Sequence, residues 1–200
     1  MKIFNWKMNP STLKEALELA SCSDEKDVVV CAPFVFLSKI KLKKAKLGAQ
    51  DSFHKEKGAF TGEVSCKMLK NLGVEYVILG HSERKEKDQE VNLKIKACLK
   101  NNLKPIVCLD ERLRIERLKG VKNAIIAYEP VSSIGTNNPC PIKKALKVRD
   151  LIRKKMKDSK ILYGGSINSS NYLKYQEVFD GLLIGGASLD KKEIKKILEK

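Results

Sequence analysis

Eight short apolar runs recur along 200 residues, and each is separated from the next by a stretch with helical character. They are Ile3–Asn5, Val28–Cys31, Lys46–Gln50, Tyr76–Leu79, Pro105–Leu109, Ala124–Tyr128, Lys160–Tyr163 and Gly181–Ile184. Runs this short, apolar without interruption and rich in β-branched residues, suit parallel strands buried on both faces. Strand and helix signals in strict alternation argue for βαβ units. Eight such units favour a closed α/β barrel over an open doubly wound sheet. No linker or low-complexity segment interrupts the pattern, so residues 1–200 are read as one domain.

The intervening stretches carry their own start signals. Thr12 followed by Glu15 forms a capping box. Val91, Ile95, Cys98 and Leu99 make an apolar stripe at helical spacing. Pro141 is placed to open a long helix ending near Lys157, and Asp190 with Glu193 forms a second box-like start. Between Leu109 and the sixth strand there is room only for a short helix, expected over Arg112–Leu118.

Composition narrows the classes further. Six cysteines (Cys22, Cys31, Cys66, Cys98, Cys108 and Cys140) are scattered without a CxxC pair, and two histidines are too few for a Cys/His zinc module. They are read as reduced thiols of a cytoplasmic protein. The start MKIFNWKMN holds no long apolar stretch, so neither a secretory signal nor a membrane association is expected. The formal charge is +16, from 40 basic and 24 acidic residues. A nucleic-acid surface and a solvated, lysine-rich surface both fit that number. The lysines lie along helix-like stretches such as KIKLKKAK without interleaved aromatics, which favours the second reading and no nucleic-acid partner.

In a barrel, the C-terminal ends of all strands meet on one face. Asn5 and Lys7 follow the first strand, His81 the fourth and Glu129 the sixth. The last two strands run into Gly-Gly pairs, in ILYGGS (161–166) and LLIGGAS (182–188). Backbone amides freed of side chains at such strand ends suit an anion, and barrels often bind phosphate after strands seven and eight. Singly, Lys7 reads equally as a surface lysine, His81 as a structural histidine and Glu129 as a surface carboxylate. Together, a base, an imidazole, an ammonium and a phosphate cradle suit proton abstraction beside a carbonyl.

The runs NWKMN (5–9), AQD (49–51), GAFTGE (58–63), GHSER (80–84), AYEPVSSIGT (127–136), YGGS (163–166) and IGGASL (184–189) resemble the triosephosphate isomerase family, in family order along essentially the whole chain. The resemblance implies a (β/α)8 TIM barrel, compact and with shortened outer helices. It implies interconversion of dihydroxyacetone phosphate and D-glyceraldehyde 3-phosphate through an enediolate, in glycolysis and gluconeogenesis, with neither cofactor nor metal. It implies Glu129 as the base, His81 as a neutral electrophile, Lys7 as the cation on phosphate and enediolate, Asn5 beside it and Glu83 as a supporting carboxylate. Gly135, Ser166, Gly185 and Gly186 match the phosphate-binding positions, and Cys108 a buried neighbour of the base. Pro130, Val131, Ser132, Ser133, Ile134, Gly135 and Thr136 resemble the mobile lid. The Gly58–Glu63 loop resembles one that inserts into a partner subunit, with Thr61 reaching the neighbour's site, which implies a homodimer.

Three departures stand out. Ser132 stands where the family carries Trp, Lys85 replaces a second arginine, and Asp110 replaces a glycine. The connector after Leu109 is about half the usual length. Two other functions are compatible with part of the pattern: a phosphate-binding aldolase or epimerase, and a binding protein on a degenerate barrel. The first would need a Schiff-base lysine or metal ligands at strand ends, which the sequence does not display. The second is disfavoured by intact Asn5, Lys7, His81 and Glu129.

The shortened ring leaves less apolar surface to bury on folding, so activity is expected to survive at some cost in stability. Thermal unfolding followed by circular dichroism should give a Tm no higher than the mesophile range of about 45–65 °C. A midpoint well above that range would contradict the expectation.

Overall fold

The computed structural model describes residues 1–122, 124–136 and 138–199. Eight parallel strands close on themselves in chain order: β1 (Lys2–Asn5), β2 (Val28–Ala32), β3 (Lys46–Ala49), β4 (Tyr76–Leu79), β5 (Lys104–Leu109), β6 (Ile125–Tyr128), β7 (Lys160–Tyr163) and β8 (Gly181–Ile184). Closure is made by β1 pairing with β8, Lys2 opposite Leu182 and Phe4 opposite Ile184. All eight apolar runs of the sequence are strands, with ends shifted by no more than a residue.

Side chains alternate across each strand, and the core divides accordingly. Ile3, Val29, Cys31, Ile78, Ile106, Cys108, Ala127, Leu162 and Leu183 pack together in one buried cluster, the barrel interior. Their neighbours Phe4, Val30, Leu79, Val107, Leu109, Ile126, Tyr128, Ile161, Tyr163 and Ile184 belong to a second cluster, between the strands and the outer layer.

That outer layer comprises α1 (Leu13–Ser23), α2 (Phe34–Leu37), α3 (Cys66–Asn71), α4 (Asp88–Lys100), α5 (Ile142–Lys155), α6 (Tyr172–Gln176) and α7 (Lys191–Leu198). The Thr12 capping box is present in both directions. Pro141 caps α5, which ends two residues before the expected Lys157. Asp190 caps α7 through the amides of Lys192 and Glu193, but the Glu193 carboxylate does not complete a box; it binds the amide and hydroxyl of Ser169 instead.

Two expectations need correction. The helix expected at Arg112–Leu118 is only a 3-10 turn at Ile115–Leu118. Fifteen residues cannot leave β5, form several helical turns and return to β6, so Leu113, Ile115, Leu118 and Val121 cover that side of the barrel from an irregular segment. On α4, Leu99 is 44 % exposed, whereas Lys94, three residues after Val91, is buried on the apolar stripe. No helix among the described residues is long and apolar enough to cross a membrane.

Asp24, just after α1, ties this layer to the sheet. Its carboxylate accepts the amides of Lys43, Lys44 and Ala45, each at 2.8 Å, immediately before β3. Burial opposes its charge, but the three amides outweigh it and hold its pKa below the ordinary 3.8. A depressed carboxylate stabilises the fold above its unfolded pKa, and the contribution is lost as pH falls through the folded value. Asp24→Ala should therefore cost about 2 kcal/mol at neutral pH. In urea titrations that difference should vanish once the pH is well below 3.8.

Candidate active site

The inward parity of the strands continues past their C-terminal ends. Two residues beyond Ile3 comes Asn5, and two beyond that Lys7; Glu129 follows Ala127, Gly164 follows Leu162, and Gly185 follows Leu183. All five line one cleft of about 690 Å³ at the mouth of the barrel, together with His81, Ile134, Gly135, Ser166 and Gly186.

His81 breaks the parity. Gly80 holds the inward phase after Ile78, and its φ of +69° lies where only glycine is unstrained. That turn swings the next residue into the cleft. His81 then caps a 3-10 turn (Ser82–Arg84), its Nδ1 accepting the amide of Glu83 at 3.2 Å. Nδ1 is thereby an acceptor, which leaves Nε2 to carry the proton. Nε2 lies 3.0 Å from Glu129 Oε1, and the other carboxylate oxygen accepts the amide of Ser82 at 3.3 Å.

Glu129 is 2 % exposed. Its amide donates to Leu109 O at 2.8 Å, so the end of β5 fixes its backbone. Burial disfavours the His81 imidazolium, but the hydrogen bond and charge of Glu129 outweigh it, and the His81 pKa is raised above the ordinary histidine value. Cys108 is buried nearby; burial first, and then the Glu129 charge, push its thiol well up, so it is an uncharged packing group.

Lys7 has a left-handed backbone (φ 54°) pinned from three sides. Its amide donates to Asn5 Oδ1 at 3.1 Å, Gln50 Nε2 donates to its carbonyl at 2.8 Å, and its ammonium pairs with Glu83 at 2.5 Å. Glu83 does not line the cleft; its carboxylate reaches the site through Lys7, and its amide through His81 Nδ1. A Cβ on Gly185 would meet Lys7 Cε at 3.2 Å, so the glycine leaves room for the lysine to lie across the cleft.

Of the expected lid, Ile134 and Gly135 line the cleft, while Val131 is half exposed. Glu111 accepts the amide of Val131 at 3.1 Å and the hydroxyl of Ser132 at 3.3 Å. Ser166 donates its hydroxyl to Ser133 O, and Thr136 donates to the same carbonyl at 3.0 Å. Beyond the lid, the Cys140 amide donates to Tyr163 Oη at 2.9 Å. Pro130 begins the segment against Gly165, where a Cβ would meet its ring at 2.9 Å. Thr61 is exposed on the loop between β3 and α3 and does not line this cleft.

Several contributors escaped the sequence reading. Beneath the 3-10 turn that carries Glu83, the buried Lys94 ammonium contacts Asp51 at 3.0 Å and Glu86, and Arg84 joins Asp51 at 2.7 Å. Burial disfavours the Lys94 charge, but the carboxylates outweigh it and keep it cationic. The available signal was its position three residues after Val91 on an apolar stripe. Gln50 lies in the AQD run, but its contacts to the carbonyls of Lys7 and Cys31 carry no sequence signal of their own, and Glu111 lies in no motif. Among the described residues, no group of three or more His, Cys, Asp or Glu side chains converges as metal ligands would.

Residues 1–200 match the model of the family described as triosephosphate isomerase. Proteins named triosephosphate isomerase are similar along nearly their whole length. That of Alkaliphilus oremlandii is 40 % identical, covering 97 % of this chain and 96 % of its own. That of Mesomycoplasma hyopneumoniae (strain 7448) is 39 % identical, covering 98 % and 97 %. That of Aquifex aeolicus is 37 % identical, covering 97 % and 96 %. These alignments run over 235 to 240 positions against 200 residues, so the relatives carry segments that this chain lacks.

Lys94→Met should destabilise the protein by about 3 kcal/mol or more, because two buried carboxylates would lose their shared cation. A urea midpoint corresponding to less than about 1 kcal/mol would mean that Arg84 and water suffice to satisfy them.

Proposed function

The chain belongs to the triosephosphate isomerase family, and from that premise we propose the chemistry by which it interconverts dihydroxyacetone phosphate and D-glyceraldehyde 3-phosphate. It is an intramolecular aldose–ketose isomerase. Glu129 takes the proton from C1 of the ketose. The C1–H electrons become the C1=C2 bond, and the carbonyl π electrons move onto O2. The His81 Nε2–H and the Lys7 ammonium meet that developing charge. Proton exchange between the two oxygens runs through His81, and Glu129 returns its proton to C2 to give the aldehyde. Atoms and electrons balance with no outside reductant.

The observation that carries this reading is the 3.0 Å approach of His81 Nε2 to Glu129 Oε1 at the mouth of the barrel, with Lys7 lining the same cleft. The amide at Nδ1 supports the neutral imidazole as electrophile. When Glu129 turns from His81 to the substrate, the contact that favours the imidazolium is removed, while burial, which favours the neutral ring, remains. The amides of Gly135, Ser166, Gly185 and Gly186 receive the phosphate. Residues Pro130–Thr136 close over it, excluding water and preventing loss of phosphate from the enediolate.

The Gly58–Glu63 loop, with Phe60 41 % exposed and 4.9 Å from Phe53, joins two copies as a homodimer and carries Thr61 toward the partner's site. The enzyme serves glycolysis and gluconeogenesis in the cytoplasm.

Glu129→Ala should lower kcat by about 10²–10⁴-fold in a coupled assay. Turnover close to that of the parent would remove Glu129 as the base. The pH profile gives a second test. Below the raised His81 pKa, the His81–Glu129 pair holds an extra proton that must leave before the base and neutral electrophile coexist. The acid limb of kcat/KM, which reports the free enzyme, should therefore lie above about 6.5, the ordinary histidine value. Replacing Glu129 with Gln should move the His81 titration, read by NMR, downward.

A further inference from the structure

The shortened connector between β5 and β6 carries one side chain that its surface role does not explain. Arg117, on the 3-10 turn at Ile115–Leu118, is only 5 % exposed, although it belongs to a segment that is otherwise largely at the surface. Its guanidinium points back under the mouth of the barrel. Nη1 donates to the carbonyl of Gly80 and to that of Cys108, both at 2.9 Å. Nε donates to Asp88 at 2.6 Å, on the first turn of α4. Asn92 of α4 holds the turn in place by donating to the carbonyls of Arg117 (2.8 Å) and Lys119 (3.1 Å).

The two carbonyls that share Nη1 are not arbitrary. The Gly80 carbonyl belongs to the peptide leading into His81, the unit whose left-handed turn brings the imidazole into the cleft. The Cys108 carbonyl lies one residue before Leu109, whose carbonyl accepts the Glu129 amide. One nitrogen thus bridges the end of β4, which aims His81, and the end of β5, which seats Glu129. The fit is close: a Cβ on Gly80 would stand 2.8 Å from Nη1. Strand pairing by itself stops short of this point, with Leu79 opposite Val107 as the last β4–β5 partners.

We propose that Arg117 is a positioning residue for the isomerisation: its guanidinium locks the Gly80–His81 peptide to the end of β5, and so fixes the distance between His81 and Glu129. The proposal rests on the reading in which those two residues carry the chemistry. Arg117 touches no substrate, so its effect falls on kcat more than on KM. Lysine cannot replace it, because a single ammonium cannot hold Asp88 and two strand-end carbonyls in one planar fork.

The test measures kcat and KM per folded molecule for wild type, Arg117→Ala and Arg117→Lys, with and without millimolar guanidinium, alongside histidine 15N NMR. The chain has two histidines, so His54→Gln assigns the His81 signals. Arg117→Ala should lower kcat by about 10–100-fold with KM changed less than about threefold, as expected when reacting groups are displaced by about 1 Å. Free guanidinium should restore part of that loss in Arg117→Ala and nothing in wild type. Arg117→Lys should show a smaller kcat loss at the same KM, with the His81 imidazole signals shifted and those of His54 unmoved; it carries the test if the alanine variant does not fold. A purely structural role predicts a lower Tm with unchanged kcat per folded molecule, no guanidinium rescue and an unmoved His81 signal, and that result overturns the proposal. If wild type itself lacks isomerase activity, the assignment of His81 and Glu129 fails, and the NMR arm alone then decides whether Arg117 holds His81.

Discussion

The constraint on which the rest depends is the two-residue alternation of side chains in a sheet that closes on itself. Closure leaves no strand edge, so every strand is held by neighbours on both sides whatever lies outside it. Alternation then assigns each residue to the interior or the outer layer without exception along a strand. Because the assignment does not stop where the ladder stops, the next inward positions beyond Ile3, Ala127 and Leu183 are delivered to one mouth. Apolar residues at those positions would fill the barrel further; Asn5, Lys7, Glu129 and Gly185 open it to a polar ligand instead. The mouth of the barrel is an extension of the packing rule of the core.

His81 is the exception, and the surrounding structure shows what an exception requires. Parity alone would place Gly80 in the cleft. A left-handed glycine rotates the following peptide, and that peptide no longer has a strand partner to satisfy its carbonyl. A buried carbonyl without a donor would cost about as much as a lost hydrogen bond, and Arg117 supplies the donor. On the other side of the same turn, Lys94 neutralises Asp51 and Glu86 beneath Arg84. The imidazole is therefore held by two buried cations acting on its support, and neither contacts its ring.

What was legible in the sequence follows from the same rule. Strand runs buried on both faces are apolar throughout, so β1–β8 stand out, and the polar residues that end them stand out as well. Capping at Thr12 is local chemistry and could be read directly. Lys94 was invisible for a physical reason: on a helix stripe a lysine counts as polar, and only three-dimensional neighbours reveal that carboxylates offset its burial. Leu99 fits the same spacing as an apolar residue, yet the face it occupies is open to solvent. Arg117 sits in a segment with no periodicity, where every lysine and arginine looks alike. The direction of the His81 shift was also beyond the sequence, because it depends on Glu129 resting 3.0 Å away.

The short β5–β6 connector shows which parts of a barrel unit can be removed. With β5 paired on both sides, an outer helix there contributes only apolar cover, and Leu113, Ile115, Leu118 and Val121 provide a thinner version of it. Polar contacts that reach the mouth have no such substitute. Within the same 15 residues the chain has Glu111, which holds the amide of Val131 and the hydroxyl of Ser132 on the turn after β6, and Arg117, which bridges the ends of β4 and β5. The hydroxyl of Ser132 reaches Glu111 of this short segment at 3.3 Å. The contacts that hold His81, Glu129 and the 131–133 turn at the mouth thus run through the strand ends and bypass the outer layer.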